Sequence, residues 1–157
     1  MDDKGFEFPV DRSAIMLFAR ALRDMNPVFH DPSHPATKAA GGIIPPPTFV
    51  QSNVHWVAQT GLDHTRPGFV PSEGGGGGAR GLHAEQHNEY HHPIHPGDTL
   101  RVTSRPGEKW EKEGRRGGKL LFSENILEFR NQDGVLCVTA RSVGVQTRKP
   151  SSNRRPR

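Results

Sequence analysis

Residues 24–30, which read DMNPVFH, combine a carboxylate with an imidazole in one short polar stretch. Asp24 and His30 stand six residues apart around an Asn-Pro break, directly after an apolar segment with helical spacing. Adding water to an activated double bond, or removing it, needs one group that activates the water and another that manages the α-proton. The stretch is therefore a candidate acid–base pair, although each of its residues is also common in ordinary loops.

The composition indicates one mostly polar domain. The chain has 157 residues, of which 32% are hydrophobic, together with 18 glycines and 14 prolines. A single core must therefore come from a few concentrated segments joined by polar loops. Cys137 is the only cysteine and lies in an apolar run, which predicts a buried thiol and excludes a disulfide within the chain. Residues 1–5 resemble no secretory signal, and no run approaches the ~18 apolar residues of a membrane span. We expect a soluble cytoplasmic protein without membrane contact.

The net charge of +4 comes from the end of the chain. Four of the 21 basic residues lie within residues 149–157, and the remaining 17 balance the 17 acidic residues. Residues 149–157 have no apolar periodicity, which predicts a basic disordered tail. Aromatic and basic residues do not interleave in the rest of the chain, so nucleic-acid binding is not expected.

Two helices are predicted in the first half of the chain. Residues 12–23 carry apolar residues at helical spacing and end before the Asn-Pro break. Residues 31–47 form a Pro/Gly-rich connection. Thr48 is a candidate N-cap for a second helix, whose apolar positions extend from Phe49 to Ala58.

The second half of the chain shows the alternation and turn signals of β-strands. A glycine-rich loop over residues 62–81 precedes them. It is predicted to be a flexible surface loop or, alternatively, a lid over a pocket. Helices followed by antiparallel strands predict a single α+β domain over residues 1–148, with a sheet packed against the second helix. The predicted strands cover residues 82–93, 99–104, 120–130 and 135–147, and the last two form a hairpin.

Six short segments together resemble the MaoC-like dehydratase group of hot-dog folds, particularly its N-terminal-type, fatty-acid-synthase-like dehydratase domains. They are FPV at 8–10, DMNP at 24–27, GIIPPPTF at 42–49, LHAEQ at 82–86, PGDTL at 96–100 and RNQDG at 130–134. The resemblance implies a hot-dog fold, in which a curved antiparallel sheet wraps around a central helix and usually pairs edge to edge with a second domain.

The resemblance also implies an activity. Members of this group interconvert (2E)-enoyl and (3R)-3-hydroxyacyl thioesters, carried on coenzyme A or acyl carrier protein, without a metal or redox cofactor. Asp24 and His30 would hold and activate the water, and a backbone N–H at the start of the second helix would polarise the thioester carbonyl. We expect a hydro-lyase of fatty acid metabolism that forms a homodimer, or a heterodimer with another MaoC-like chain.

Two positions depart from the pattern of active hydratases. Val28 and Phe29 both separate the proline from His30, where the active pattern has one residue. Pro47 lies at the expected oxyanion position and has no N–H to donate, so the backbone N–H of Thr48 would have to act one position later. Both departures occur in family domains that only shape the acyl pocket for a catalytic partner. A non-catalytic acyl-binding subunit of a heteromeric dehydratase is therefore the alternative function, and a scaffold module is a third.

Three further residues are candidates for substrate binding. Asn26 either contacts substrate or holds its loop through side-chain-to-backbone bonds. Arg115 and Arg116 either bind the phosphates of coenzyme A or belong to an ordinary solvated charged turn.

Five histidines between residues 83 and 95 invite a metal-site interpretation. On a regular strand, four of them would share one face in four-residue steps of about 13 Å. Zinc ligands need nitrogens about 2.0–2.1 Å from one ion. We therefore expect solvent-facing histidines and no metal site.

Overall fold

The computed structural model describes residues 5–55, 81–114 and 118–148. Most of the predicted glycine-rich loop, the end of the predicted second helix, Arg115, Arg116 and the basic tail lie outside these residues. The described strands are β1 (Phe6–Pro9), β2 (Gly81–Tyr90), β3 (Thr99–Glu113), β4 (Lys119–Arg130) and β5 (Leu136–Arg148). The helices are α1 (Arg12–Ala21), α2 (Pro35–Ala39) and two 3₁₀ helices, Pro27–Phe29 and Phe49–His55.

The strands form one curved antiparallel sheet in the order β1-β3-β4-β5-β2. Its core face follows the period of two expected for a half-buried sheet. Leu100 and Val102 on β3, Phe129 on β4 and Val138 on β5 are each at most 1% exposed. The predicted α+β arrangement and the buried Cys137 are confirmed.

Helix α1 packs one side onto this core. The Asp11 carboxylate caps the helix by accepting hydrogen bonds from the backbone N–H groups of Ser13 at 2.7 Å and Ala14 at 3.4 Å. Ile15 and Ala19, four residues apart, are buried. The aromatic ring of Phe49 meets α1 and β1, since its centroid lies 5.6 Å from that of Phe18 and 5.7 Å from that of Phe8. The core therefore joins α1, the sheet and the second 3₁₀ helix.

Strand β2 ends at Tyr90, earlier than predicted, and larger differences from the prediction occur at β1 and β3. Strand β1 was not predicted, because four residues are too few to show an alternating pattern, and it forms by pairing with β3. Strand β3 continues to Glu113, well beyond the predicted end at residue 104. It continues because β4 pairs with it to the end, and Trp110 stacks on Phe122 with ring centroids 5.1 Å apart. Long-range pairing overrides local polarity here.

The region before the second predicted helix also differs. Helix α2 lies within the segment predicted as an irregular connection. After Thr48 the chain forms a 3₁₀ helix rather than an α-helix, with the Phe49 N–H donating to the Pro46 carbonyl at 2.8 Å and the Gln51 N–H to the Thr48 carbonyl at 3.0 Å. Such tight turns are common at helix ends. Within the described ranges, no helix is long and apolar enough to cross a membrane.

Candidate functional site

The loop of residues 24–30, here named the Asp-His loop, begins where α1 ends. The backbone N–H of Asp24 donates to the Ala19 carbonyl at 2.9 Å, and that of Arg23 to the Arg20 carbonyl at 3.0 Å. This pair of bonds is a Schellman motif, and Arg23 takes the left-handed conformation (φ 57°) that glycine usually occupies there. The motif turns the chain sharply, so Asp24 is the first residue of the loop.

The first polar side chains of the Asp-His loop are bound to their own backbone. Asp24 is exposed, and its Oδ1 accepts a hydrogen bond from the N–H of Asn26 at 3.1 Å. Asn26 Oδ1 accepts in turn from the N–H of Val28 at 3.2 Å and caps the 3₁₀ helix Pro27–Phe29. Both side chains thus have the local role of Asx residues in turns.

The end of the Asp-His loop is divided between core and solvent. Val28 and Phe29 are 9% and 5% exposed and belong to the hydrophobic core. The next residue, His30, is exposed, and its backbone N–H donates to the Pro27 carbonyl at 3.1 Å. Among the described residues no hydrogen bond joins Asp24 to His30. The two candidate catalytic residues share one loop, and their assignment as an acid–base pair stays a prediction.

The three prolines at residues 45–47, here named the proline wall, precede the second 3₁₀ helix. Pro45 and Pro46 are buried, whereas Pro47 and Thr48 are exposed. The backbone N–H of Thr48 has no acceptor within the described part of the chain. A ligand oxygen could therefore accept a hydrogen bond from it, as predicted for the oxyanion position, and this role too stays a prediction.

Pro45 and Pro47 of the proline wall form part of one side of an apolar cleft of about 370 Å³. The end of β2 and the turn after it form the other side. The hydroxyl group of Tyr90 donates to the carbonyl of Pro47 at 2.6 Å and ties the two sides together. Burial raises the pKa of Tyr90 to about 12, so the phenol is neutral at physiological pH. The cleft is lined by Ala40, Ile44, Pro45, Pro47, Tyr90, His91, His92, Pro93 and Ile94.

Sequence reasoning missed this cleft. Its walls come from two segments far apart in the chain, and most of its side chains are small apolar residues or prolines that carry no chemical signature. The available signal was weak: two proline-containing apolar segments, residues 43–47 and 93–94, border predicted elements. The sequence had drawn attention to Pro47 for its missing N–H, and to His91 and His92 only as members of the histidine cluster.

The histidines do not lie on one strand face. A bulge between His83 and Glu85 shifts the register, and β2 ends at Tyr90, before the last three histidines. His83 and His87 are exposed, as predicted. His95 Nδ1 lies 2.9 Å from the Ile43 carbonyl oxygen and fastens the segment before the proline wall. In the ranges that the structure describes, no group of three or more His, Cys, Asp or Glu residues could hold a metal ion.

Comparison with solved structures identifies the fold class. The C-terminally truncated HadBC complex of Mycobacterium tuberculosis, a (3R)-hydroxyacyl-ACP dehydratase, matches with a TM-score of 0.60 at 24% identity, over 92% of this chain and 98% of that chain. The (R)-hydratase PhaJ1 of Pseudomonas aeruginosa matches with a TM-score of 0.59 at 18% identity, over 98% of this chain and 88% of the other. At these identities the likeness establishes the fold, and the predicted hot-dog fold is confirmed.

The sequence then identifies the family. Residues 2–140 match the profile of the FAS1-like dehydratase domain region, and the chain belongs to this family. A UPF0336 protein of Streptomyces avermitilis is 36% identical over 106 residues, which cover 62% of this chain. The matched part spans 60% of that relative's length. The predicted resemblance to MaoC-like dehydratases is confirmed.

Proposed function

We propose that the chain is the acyl-thioester-binding subunit of an (R)-specific hydratase/dehydratase, and that a second chain of the same fold supplies the acid–base pair. The reaction would interconvert (2E)-enoyl and (3R)-3-hydroxyacyl thioesters. One observation carries the proposal: the Asp24 carboxylate accepts a hydrogen bond from the N–H of Asn26 in its own loop, so part of its acceptor capacity is used within the loop. HadBC, a complex with the same fold, is a two-chain precedent.

The burial of Phe29 gives the physical reason. Acid and base must both come within about 2.6–3.2 Å of the reacting water or substrate atoms. Moving the backbone of His30 toward Asp24 would shift the 3₁₀ helix that ends at Phe29 and withdraw Phe29, which is 5% exposed, from the core. Removing a buried phenylalanine ring from its contacts costs about 3–5 kcal/mol. This cost opposes a backbone movement that would bring His30 closer to Asp24.

The cleft supports the binding role. Its walls are apolar, the rings of the proline wall are rigid, and Tyr90 is neutral. An aliphatic chain buried there would gain about 0.8 kcal/mol for each methylene group removed from water. A preformed apolar cleft of this kind suits the acyl part of a thioester better than a charged substrate.

A second candidate function is catalysis by this chain alone. The observation in its favour is the Thr48 N–H, which has no acceptor among the described residues and so could bind the thioester carbonyl oxygen. Asp24 and His30 would then share the acid and base roles, and Asn26 would contact substrate.

Enzyme assays with matched variants separate the two candidates. Hydration of crotonyl-CoA and a longer enoyl-CoA would be followed for the purified chain, alone and with a partner captured by affinity purification from the native organism. Binding of hexanoyl-CoA would be measured by calorimetry. We expect binding without turnover by the chain alone, turnover with the partner, and no loss of that turnover in Asp24→Asn.

The control variants give each outcome a meaning. Asp31→Asn is matched to Asp24→Asn, because the Asp31 carboxylate also accepts from a loop N–H two residues on, that of Ser33 at 2.8 Å. If the chain alone turns over enoyl-CoA, and Asp24→Asn and His30→Ala each reduce the rate about 10²–10⁴-fold while Asp31→Asn does not, the second candidate is correct. Ala40→Leu should fill the cleft and weaken hexanoyl-CoA binding. Absence of binding by the folded wild-type chain would contradict both candidates.

A further inference from the structure

An apolar row of side chains crosses the outer face of the sheet, which is the face opposite the core. Phe129 on β4 belongs to the core, and Phe122 lies an odd number of residues before it, so the Phe122 side chain points outward. Trp110 on β3 and Val145 on β5 are both paired directly with Phe122. Leu82 on β2 is paired in turn with Val145. These four paired side chains, here named the outer stripe, form one row over four neighbouring strands.

The outer stripe is accessible to solvent although it is apolar. Leu82 is 61% exposed, and the other three residues are half-buried. Trp110 and Phe122 partly cover each other, because their rings stack with centroids 5.1 Å apart and an interplanar angle of 1°. With strands about 4.8 Å apart, a row over four strands is about 14 Å long. The outer face of such a sheet is ordinarily polar, and a contiguous exposed apolar patch is typical of an interaction surface.

Two oppositely charged residues flank Trp110 on β3. Glu108 lies two residues before it and Lys112 two residues after it, so the three side chains share the outer face. Lys112 Nζ lies 5.4 Å from the centroid of the Phe122 ring, which places the lysine beside the outer stripe. Both charged residues are exposed, and neither forms an ion pair with another described residue.

A bulge in β3 fixes the backbone of Glu108 beside the outer face. The register between β3 and β4 shifts between Pro106 and Lys109. In this bulge the N–H of Glu108 donates to the carboxylate of Glu124 at 3.0 Å. Glu124 lies two residues after Phe122 on β4, so both of these side chains are on the outer face. Glu108 is therefore held against an outer-face residue of the next strand.

Acidic residues near the outer stripe on the other strands have partners within the chain. Glu124 on β4 binds Arg141 on β5, and Arg141 also lies 3.9 Å from Glu85 on β2. Glu108 and Lys112 differ from these residues, because no described residue compensates their charges. Two opposite charges beside an apolar row are therefore left for a partner.

A second copy of this chain fits these features. In a contact with two-fold symmetry, the same patch lies on both sides, and residue i of each chain meets residue j of the other. If the axis runs along the outer stripe, the two stripes stack and the strand directions are reversed. Lys112 of one protomer then faces the partner's Glu108, and the reciprocal pair forms at the same time. Opposite charges placed two residues on either side of an apolar row are what this symmetry requires.

We propose that the outer stripe is an interface between two copies of this chain, which pack face to face with Glu108 and Lys112 paired across it. Sheets packed in this way lie about 10 Å apart, so apolar side chains of both copies meet. The contact uses the face of the sheet and not its edge. It therefore differs from the edge-to-edge pairing expected for the fold, and it doubles whatever assembly the edges form. The interface does not depend on the proposed function.

Charge reversal tests the interface and its symmetry. The average mass of the purified chain would be measured by analytical ultracentrifugation at low salt, over a range of protein concentrations. Glu108→Lys and Lys112→Glu each create two like-charge contacts, so each should raise the dissociation constant about tenfold and lower the average mass toward half. Mixing the two variants, or combining both changes in one chain, pairs opposite charges again and should restore the wild-type mass.

Leu82→Ser tests the apolar part of the interface. Leu82 is 61% exposed in the single chain, so its loss does not damage the core. Once buried between two copies, its side chain would contribute its transfer free energy, and the variant should raise the dissociation constant about 10–100-fold. Leu17→Ser is the matched control, because Leu17 is 60% exposed on α1 and lies outside the outer stripe. This control should leave the mass unchanged.

The mass measurements decide for or against the interface. The inference is wrong if Leu82→Ser and both charge variants keep the wild-type mass, since another protein or another part of the chain would then cover the outer stripe. It is also wrong if the charge variants dissociate but do not reassociate on mixing, because the two-fold arrangement would then be absent. Dissociation by Leu82→Ser and by each charge variant, reversed when the charge variants are mixed and absent in Leu17→Ser, supports it.

Discussion

The Asp-His loop and the acyl cleft are built in opposite ways. The loop contains the residue types of an acid–base site, but Asp24 and Asn26 bind their own backbone and His30 faces solvent. The cleft contains few reactive groups, but its two sides are joined by a hydrogen bond between residues 43 positions apart in the chain. In this protein the preformed ligand-binding surface is therefore recognised by its long-range contacts rather than by the chemistry of single residues.

The largest expected effect tests whether the buried Phe29 holds the Asp-His loop in place. Phe29→Ala should destabilise the protein by about 3–5 kcal/mol, because it leaves a cavity in the core. His30→Ala, the matched control at the next position, should change stability by no more than about 0.5 kcal/mol. Urea unfolding of both variants measures the difference. Similar losses in the two variants would mean that His30 has structural contacts and that the loop is not divided as described.

Much of the fold could be predicted from local patterns. Helix α1 has its apolar residues at helical spacing, and this signal lies within a dozen residues. Strand β1 and the end of β3 could not be predicted, because each exists through pairing with a partner remote in sequence. Strand β1 is too short, and the end of β3 is too polar, for local propensity to predict a strand there.

The candidate site was less predictable than the fold. Residue types pointed to Asp24 and His30, but whether the two side chains meet depends on where Phe29 packs, which is a property of the whole core. The cleft combines residues from two separate segments of the chain. No motif search joins such residues before the strand register is known.

The next effect tests the bond that joins the sides of the cleft. Tyr90→Phe removes the hydroxyl that donates to Pro47 and should destabilise the protein by about 0.5–1.5 kcal/mol. It should also change the response to alkaline pH. Unfolded tyrosine loses its proton near its ordinary pKa of 10.0, whereas folded Tyr90 keeps it until about pH 12. Its stabilising contribution is therefore complete below pH 10 and is lost as the pH rises through 12.

Absorbance titration measures this pKa directly, because Tyr90 is the only tyrosine in the chain. Unfolding experiments across the same pH range should show a steeper loss of stability for the wild type than for Tyr90→Phe. A phenol that titrates near 10 in the folded protein would mean that the hydroxyl is solvated and that the cleft lacks this connection.

The smallest expected effect decides whether Asn26 serves the loop or a ligand. Its Oδ1 caps the 3₁₀ helix through the N–H of Val28, so Asn26→Ala should cost about 0.5–1 kcal/mol of stability. Asn26→Asp keeps a capping oxygen and should restore most of that stability. A residue that contacts the thioester would respond differently: Asn26→Asp would place a charge beside the substrate and weaken hexanoyl-CoA binding while leaving stability intact. Unfolding and hexanoyl-CoA binding measured on the same two variants therefore separate a structural Asn26 from a substrate-binding one. Only the structural role predicts that Asn26→Asp has nearly wild-type stability and wild-type binding.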